Sequence, residues 1–245
     1  MPQFDPSILS RPGTVFIDDR DLENHSGRSY LFSDPEYLIE ARSAGQIPEA
    51  LEHMDRSLES GMFLAGYLGY ETGLALDKPI TPRHQTSLPL LYFGAFSEFE
   101  EFDSERLELG GQAPAQDLNH IRLSISEEEF LARVDQIKKY VSAGDIYQIN
   151  FTCRLLFENA GTAEGLFSRL RAAHPVCHSA FINLGEAQIV SLSPELFLRR
   201  QGNRVLTRPM KGTLRRGRWF GEDEKFREQL ASSEKDRAEN LMILD

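Results

Sequence analysis

Two β-hairpin patterns in direct succession restrict the fold of this chain more than any other feature. Residues 179–182 and 188–191 form the first pair of strand-like runs, and residues 196–200 and 204–207 form the second. Each pair is joined by a short glycine-containing segment, which is typical of a tight turn between antiparallel strands. Parallel strands would instead need a long crossover, usually a helix, between them. Together with separate helical segments elsewhere, the hairpins predict an α+β fold.

The helix signals are clearest around residues 126–144. Ser126 and Glu129 have the spacing of a capping box, and apolar residues then recur at helical spacing up to Val141. Gly144 follows, and glycine commonly ends helices. The remaining patterns predict helices beginning near residues 33–36 and 162, helices over 48–60 and 223–245 with a break near 232–233, and strands over 14–17, 63–71, 88–96 and 148–157.

A segment rich in Asp, Ser, Gly, Gln and Pro covers residues 103–119. Such composition predicts a linker or an exposed loop. It divides the chain into an N-terminal region, residues 1–115, and a second region, residues 116–245.

Composition narrows the range of partners. The formal net charge is −11, and an acidic surface repels phosphate backbones, so we expect no nucleic-acid partner. Cys153 and Cys177 lie in no zinc-binding motif and are expected to be reduced thiols. The N-terminus lacks a signal-peptide pattern, and no apolar run approaches the roughly 20 residues of a membrane helix. We therefore expect a cytoplasmic protein without membrane contact.

Three polar clusters could carry chemistry, and each also has an ordinary structural interpretation. Residues 144–150 lead from a helix end into a strand with a polar face, which is also typical of a solvent-facing strand. Residues 233–245 place Glu239 on a helix, where a carboxylate could bind Mg²⁺ or belong to a solvated, ion-paired surface.

The remaining cluster combines residues 193–195 with residues 208–213. Lys211 lies two residues after Pro209 and directly before Gly212. The proline predicts a turn with a more restricted backbone than an ordinary surface loop has. An amine becomes a useful nucleophile when burial or nearby cations keep it neutral. Arg208, Arg215 and Arg216 could supply those cations or bind a carboxylate, although a plain surface turn has the same pattern.

The motifs of these clusters, in this order, resemble those of the chorismate-utilising enzymes. The matching segments are residues 144–148 (GDIYQ), 193–195 (SPE), 208–213 (RPMKGT) and 234–242 (EKDRAENLM). This family includes anthranilate, aminodeoxychorismate, isochorismate and salicylate synthases. The resemblance implies orthogonally packed antiparallel sheets between helical layers, of the anthranilate synthase component I type.

Within that family, the N-terminal segments 32–35 (FSDP) and 65–71 (AGYLGYE) resemble the aminodeoxychorismate branch. Lys211 points to the same branch, because anthranilate synthases usually carry Ala there. Gln148 stands where isochorismate-type members tend to carry a water-activating Lys, which argues against that branch. The resemblance implies synthesis of 4-amino-4-deoxychorismate for the folate and 4-aminobenzoate pathway, with anthranilate synthase as the alternative.

The resemblance also implies roles for individual residues. Lys211 would attack C2 of chorismate and expel the C4 hydroxyl, and Glu195 would act as a general acid or base. Glu239 would hold Mg²⁺ against a substrate carboxylate, while Gly212 and Thr213 would shape the lysine turn and contact the substrate. Ammonia would come from a glutaminase partner, because the chain has no glutaminase signature.

One departure from the family pattern concerns the end of the sequence. The pattern normally continues well beyond residue 245, with a second acidic metal ligand, a His and a Gly-Ala-Pro loop. We therefore expect a fragment or an incomplete gene product that binds chorismate poorly. A non-catalytic chain that only docks a partner is a further alternative.

Overall fold

The computed structural model describes residues 4–22, 24–76, 87–107, 109, 118–159 and 161–244. The strands in these residues are β1 Val15–Asp21, β2 Ser26–Phe32, β3 Tyr37–Ala41, β4 Phe63–Leu68, β5 Leu91–Phe96, β6 Glu100–Asp103, β7 Leu118–Leu123, β8 Leu155–Asn159, β9 His178–Asn183, β10 Gln188–Ser193, β11 Leu196–Gln201 and β12 Arg204–Arg208. The α-helices are α1 Ile47–Glu59, α2 Tyr70–Leu76, α3 Glu127–Ala143, α4 Ala163–Ala173, α5 Phe220–Ser232 and α6 Glu234–Leu244. The chain forms two compact units, residues 1–109 with 170–245, and residues 110–169.

Two antiparallel sheets pack face to face in the first unit. The larger has the strand order β10-β9-β1-β2-β6, and the smaller has the order β3-β5-β4. Their shared core consists of Val15, Phe32, Ala65, Tyr92, Phe96 and Ile182. These residues come from both sheets, so the core is a sandwich rather than the helix-covered parallel sheet of a Rossmann fold.

Helix α1 covers the outer face of the smaller sheet. Its apolar residues Ile47 and Ala50 are buried against Ile39, Ala41 and Leu91. That spacing of three residues lies on one face of a helix, which is why this segment folds as an amphipathic helix.

A buried aspartate is the polar centre of the larger sheet. Asp18 on β1 is 0% exposed, and its carboxylate accepts hydrogen bonds from the hydroxyls of Ser29 on β2, Ser179 on β9 and Ser104 after β6. Arg171 in the last turn of α4 donates from Nε to Asp18 Oδ2 at 2.7 Å. A buried carboxylate is tolerated when it is paired and hydrogen-bonded in this way.

The described part of the second unit contains one ladder, helix α3 and the first seven residues of α4. β7 pairs antiparallel with β8. Helix α3 begins after Ser126, whose hydroxyl accepts from the Glu129 backbone N–H at 3.1 Å, and ends at Gly144, where φ is 79°. The Ser126 cap and the glycine stop are thereby confirmed, whereas the Glu129 carboxylate of the expected capping box pairs with Arg133 instead.

Most other predicted elements are confirmed, and three are wrong. Both hairpins, α1, α4 and the break between α5 and α6 lie where the patterns placed them. The helix expected from residues 33–36 is absent; the extended strand β3 follows instead and pairs with β5. Tyr70 and Glu71 begin α2 rather than ending a strand. The strand expected over 148–157 pairs with β7 only from Leu155 onward.

The proposed division at residues 115/116 stays a prediction, and most of the linker expected over 103–119 lies outside the described residues. In space, β9 and β10 of the second region join the sheet of the first region, because β9 pairs with β1. Among the helices that the structure describes, none is both long enough and apolar enough to cross a bilayer.

Replacing Arg171 with Met should strongly lower the free energy of unfolding of the first unit. The change leaves the Asp18 carboxylate buried without its cation, which costs about 3–5 kcal/mol. Urea unfolding followed by circular dichroism measures the loss. Arg11→Gln is the matched control, because its pair with Asp34 leaves the two side chains 55% and 71% exposed. It should change the free energy of unfolding by less than about 1 kcal/mol, and an equally small loss for Arg171→Met would contradict the prediction.

Candidate functional site

The β11–β12 hairpin brings two of the predicted site residues together. Leu196 at the start of β11 pairs with Arg208 at the end of β12, so the segments flanking the hairpin lie side by side. Glu195 precedes that pair, and its Oε1 accepts a hydrogen bond from the Met210 backbone N–H at 3.2 Å. The carboxylate of Glu195 is therefore attached to the turn that carries Lys211.

The lysine turn also contacts the corner between α5 and α6. Gly212 has a φ of +77°, in the region that favours glycine, and a Cβ there would lie 2.9 Å from Asp236 Cγ and 2.9 Å from Leu230 Cδ1. Because glycine is the residue that permits both the conformation and the approach, the sequence motif has a direct structural reason. Lys211 itself is half-buried, and Thr213 is exposed.

Helix α6 presents carboxylates on the side of the lysine turn. Asp236 packs against Gly212, and Glu239 follows three residues later, which places both on one side of the helix. Glu239 is half-buried, and its Oε1 lies 3.8 Å from the Lys235 Nζ. Sequence reasoning selected Glu239 and overlooked Asp236, although the three-residue spacing was the signal that could have identified it.

Two carboxylates are a partial set of ligands for Mg²⁺. The described residues contain no group of three His, Cys, Asp or Glu side chains that could hold a metal ion. Magnesium usually takes one or two protein carboxylates and completes its shell with water and substrate oxygens. The donor set of α6 therefore fits a magnesium site that a substrate completes.

The arginines after the lysine turn are bound to the start of α5. Arg215 pairs with Glu222 at 3.3 Å, and Arg216 pairs with Asp223 at 2.6 Å. Arg218 also pairs with Glu222, and its guanidinium lies 4.9 Å from the ring centre of Trp219. Arg215 and Arg216 were expected to lie near Lys211 or to bind a carboxylate ligand. In the structure both form ion pairs with carboxylates of α5.

These contacts change the acidity of the α5 carboxyl groups. The Arg216 side chain and the Gly217 backbone N–H hold the pKa of Asp223 at about 2, below its ordinary value of 3.8. Hydrogen bonds from the Arg218 side chain and backbone lower the pKa of Glu222 in the same way.

Two cavities lie between the larger sheet and the hairpin. One of about 760 Å³ is lined by polar groups that include Asp19, His178, Arg199 and Arg208. The other, of about 500 Å³, is more apolar and includes Phe63 and Leu198 among its lining residues. The hairpin therefore stands away from the sheet rather than packing closely on it.

Gln148 belongs to the second unit and is exposed between α3 and β8. The other predicted site residues, Glu195, Lys211, Gly212, Thr213 and Glu239, all belong to the first unit. The first unit thus contains these five residues, with Glu195 beside the turn of Lys211.

Comparison with known proteins identifies relatives of this chain. Residues 15–245 match the family described as chorismate binding enzyme. Aminodeoxychorismate synthase component 1 from Klebsiella aerogenes is 41% identical over 124 residues, which are 51% of this chain and 28% of that protein. Anthranilate synthase component 1 from Thermus thermophilus is 39% identical over 120 residues, which are 49% of this chain and 26% of that protein.

The fold is similar to that of a solved relative. The crystal structure of anthranilate synthase component I from Streptococcus pneumoniae superimposes with a TM-score of 0.70 at 21% identity. The match covers 89% of this chain and 60% of that one, so this chain spans less than two thirds of the length of that relative. The predicted α+β class with antiparallel sheets is confirmed.

Substituting Ala for Gly212 should destabilise the lysine turn more than the same change at Gly202. Both glycines have positive φ, which costs an alanine roughly 1–2 kcal/mol, but a Cβ at 202 meets nothing within 4 Å. The additional clash with Asp236 and Leu230 applies to Gly212 alone. Urea unfolding of the two variants measures the difference, and equal losses would mean that the turn and the α5–α6 corner are not in contact.

Acid should weaken the start of α5 through Asp223. Its folded-state pKa is lowered, so its stabilising contribution is present above the ordinary value of 3.8 and is lost as pH falls through about 2. We expect Asp223→Asn to remove part of the loss of stability over this range. Thermal unfolding at a series of pH values measures it, with Arg216→Gln as a second variant that should act in the same direction. A wild-type slope in both variants would contradict this assignment.

Proposed function

Because the chain belongs to the family of chorismate binding enzymes, we propose that it carries the nucleophile-bearing part of an aminodeoxychorismate synthase. The reaction converts chorismate and ammonia into 4-amino-4-deoxychorismate. The observation that supports it best is the hydrogen bond from the Met210 N–H to Glu195, which attaches a carboxylate to the turn of Lys211. A nucleophile and an acid–base group so close together suit substitution on the chorismate ring.

Lys211 is the proposed nucleophile. Its neutral amine forms a bond to C2 of the ring, the ring double bond shifts, and the C4–oxygen bond breaks. Within the described residues Lys211 forms no ion pair, so no carboxylate occupies its amine. Pro209 fixes one backbone angle of the turn, and Gly212 lets the turn pack against Asp236 and Leu230. The amine is therefore positioned with less loss of conformational freedom than on an open surface.

Glu195 is the proposed proton carrier. The departing C4 hydroxyl takes a proton from the Glu195 carboxyl group and leaves as water. Ammonia then adds at C4, the C2–nitrogen bond breaks, and Lys211 is released as a free amine. Glu195, now a carboxylate, takes the excess proton from the incoming nitrogen, so that the group returns to its starting state.

Glu239, with Asp236 beside it, would hold Mg²⁺ on the α6 side of the lysine turn. Bound Mg²⁺ would neutralise a substrate carboxylate. That neutralisation is needed because chorismate is a dianion and the chain has a formal net charge of −11. Gly212 would let the turn approach α6, and the exposed Thr213 hydroxyl would contact the substrate.

Ammonia would be supplied by a glutaminase on another polypeptide or domain, and we propose that the pair works in the cytoplasm for folate and 4-aminobenzoate synthesis. Anthranilate synthase is the second candidate, because relatives of both kinds match with 41% and 39% identity. Lys211 favours the first. A chain that docks a partner without turning over chorismate is a third candidate.

Lys211→Ala should abolish a covalent intermediate. The wild-type chain is incubated with chorismate and MgCl₂ without ammonium, and intact mass spectrometry should find an adduct equal to one chorismate minus one water. Adding ammonium should discharge it as 4-amino-4-deoxychorismate. Glu195→Gln should slow product formation by about 10²–10⁴-fold, the usual size of a lost acid–base group.

Lys225→Ala is the matched control, since Lys225 is an exposed lysine on α5. It should form the adduct at the wild-type rate. Fluorescent anthranilate as the product would instead support the second candidate. Unchanged turnover in Lys211→Ala would remove Lys211 from its nucleophilic role, and binding of a glutaminase without any turnover would favour the docking chain.

A further inference from the structure

The hairpin that carries the candidate site is a two-stranded sheet of its own. No shared ladder with the larger sheet is therefore available to set its orientation. A side-chain contact crosses the space between them: Arg199 on β11 donates from Nη2 to Asp19 Oδ2 on β1 at 2.5 Å. The contact joins residues 180 positions apart in the chain.

A β-bulge gives Arg199 its direction. Leu196 pairs with Arg208 and Arg199 pairs with Leu206, so three steps along β11 oppose two steps along β12. Side chains alternate between faces in a regular strand, and a bulge with one additional residue restores the same face. Arg199 therefore shares the face of Leu196, and both line the two cavities beneath the hairpin.

The Asp19 carboxylate is itself held in place by the sheet. His178 on β9 is its cross-strand neighbour, and the Nδ1 of His178 lies 3.2 Å from Asp19 Oδ1. On its other side, His178 pairs with Ser193, the last residue of β10. The Ser193 hydroxyl accepts from the Glu195 backbone N–H at 3.1 Å. Asp19 is thus connected to the segment that enters the hairpin as well as to β11.

The surroundings give this contact its importance. Asp19, His178 and Arg199 line both the cavity of about 760 Å³ and the cavity of about 500 Å³. Empty space on both sides means that close packing does not hold the hairpin at this point, and interiors normally derive their rigidity from such packing. A charged, hydrogen-bonded contact is what remains to define the angle of the hairpin here.

We propose that Asp19 and Arg199 are positioning residues, which set the orientation of the hairpin and through it the placement of Glu195 and Lys211. Neither residue is assigned a contact with substrate. The identity of the ligand rests on the proposed function, whereas the effect on the hairpin does not.

Amide hydrogen exchange of the 245-residue chain tests the positioning role without any ligand. In Arg199→Gln, residues 194–212 should exchange about two- to fivefold faster, the size expected for a half-exposed ion pair. Arg200→Gln is the matched control, because Arg200 is the next residue and donates to the Gly202 carbonyl within its own turn. Arg200→Gln should leave the exchange rates of residues 194–212 unchanged. In β9 and β10, neither variant should change the exchange rates.

The exchanged pair Asp19→Arg with Arg199→Asp should return the hairpin to wild-type exchange rates. Equal rates in Arg199→Gln and Arg200→Gln would overturn the proposal. So would acceleration spread evenly over the chain, which indicates a general loss of stability, or a lack of recovery in the exchanged pair.

Calorimetric titration with chorismate and MgCl₂ connects the hairpin to the site. Arg199→Gln should weaken binding about two- to fivefold relative to Arg200→Gln, and the exchanged pair should recover it. If the wild-type chain does not bind chorismate, the proposed function fails for this chain, and the exchange experiment alone decides the positioning role. Wild-type affinity in Arg199→Gln would overturn the link between the pair and the site.

Discussion

The register of the larger sheet depends on one buried charge. Asp18 stands directly opposite Ser29 on β2 and Ser179 on β9, and both hydroxyls donate to its carboxylate. Arg171 supplies the compensating cation and also donates to the backbone carbonyls of Ser104 and Leu107. A slip of one residue would place the carboxylate on the other face, away from all these donors. A polar network of this kind favours one strand register, because any other register would leave the buried carboxylate without its donors.

The alternation of Asp18 and Asp19 on β1 links the core to the candidate site. Asp18 faces Arg171 of α4, and Asp19 lies on the opposite face of the sheet, where it pairs with Arg199 of the hairpin. Two neighbouring residues of one strand therefore define the sheet and the position of the hairpin beside it. Acidic residues adjacent in sequence have separate roles because strands present successive side chains to opposite faces.

Local signals were sufficient for part of this structure. The capping of α3, the glycine-containing turns and the break between α5 and α6 depend on residues close in sequence, and all were predictable. The segment after Pro35 was not, because a proline is compatible with a helix start and with the extended strand that β5 pairs with. The resemblance of the motifs to those of the chorismate-utilising enzymes predicted Glu195 and Lys211 as site residues, and their roles stay predictions. The approach of Asp236 to Gly212 and the contact of Asp19 with Arg199 required the fold, since they join distant segments.

The position of Trp219 determines what optical spectroscopy of this protein reports. It is the single tryptophan of the chain, it is 60% exposed, and it lies beneath Arg218 at the start of α5. Its emission reports the hydration of the arginine-rich segment after the lysine turn. The sandwich core contains no tryptophan, so its unfolding does not directly change the tryptophan emission. Fluorescence and far-ultraviolet circular dichroism therefore observe different regions of the molecule. Movement of the loop beside the site becomes visible separately from melting of the sheets, without any added label.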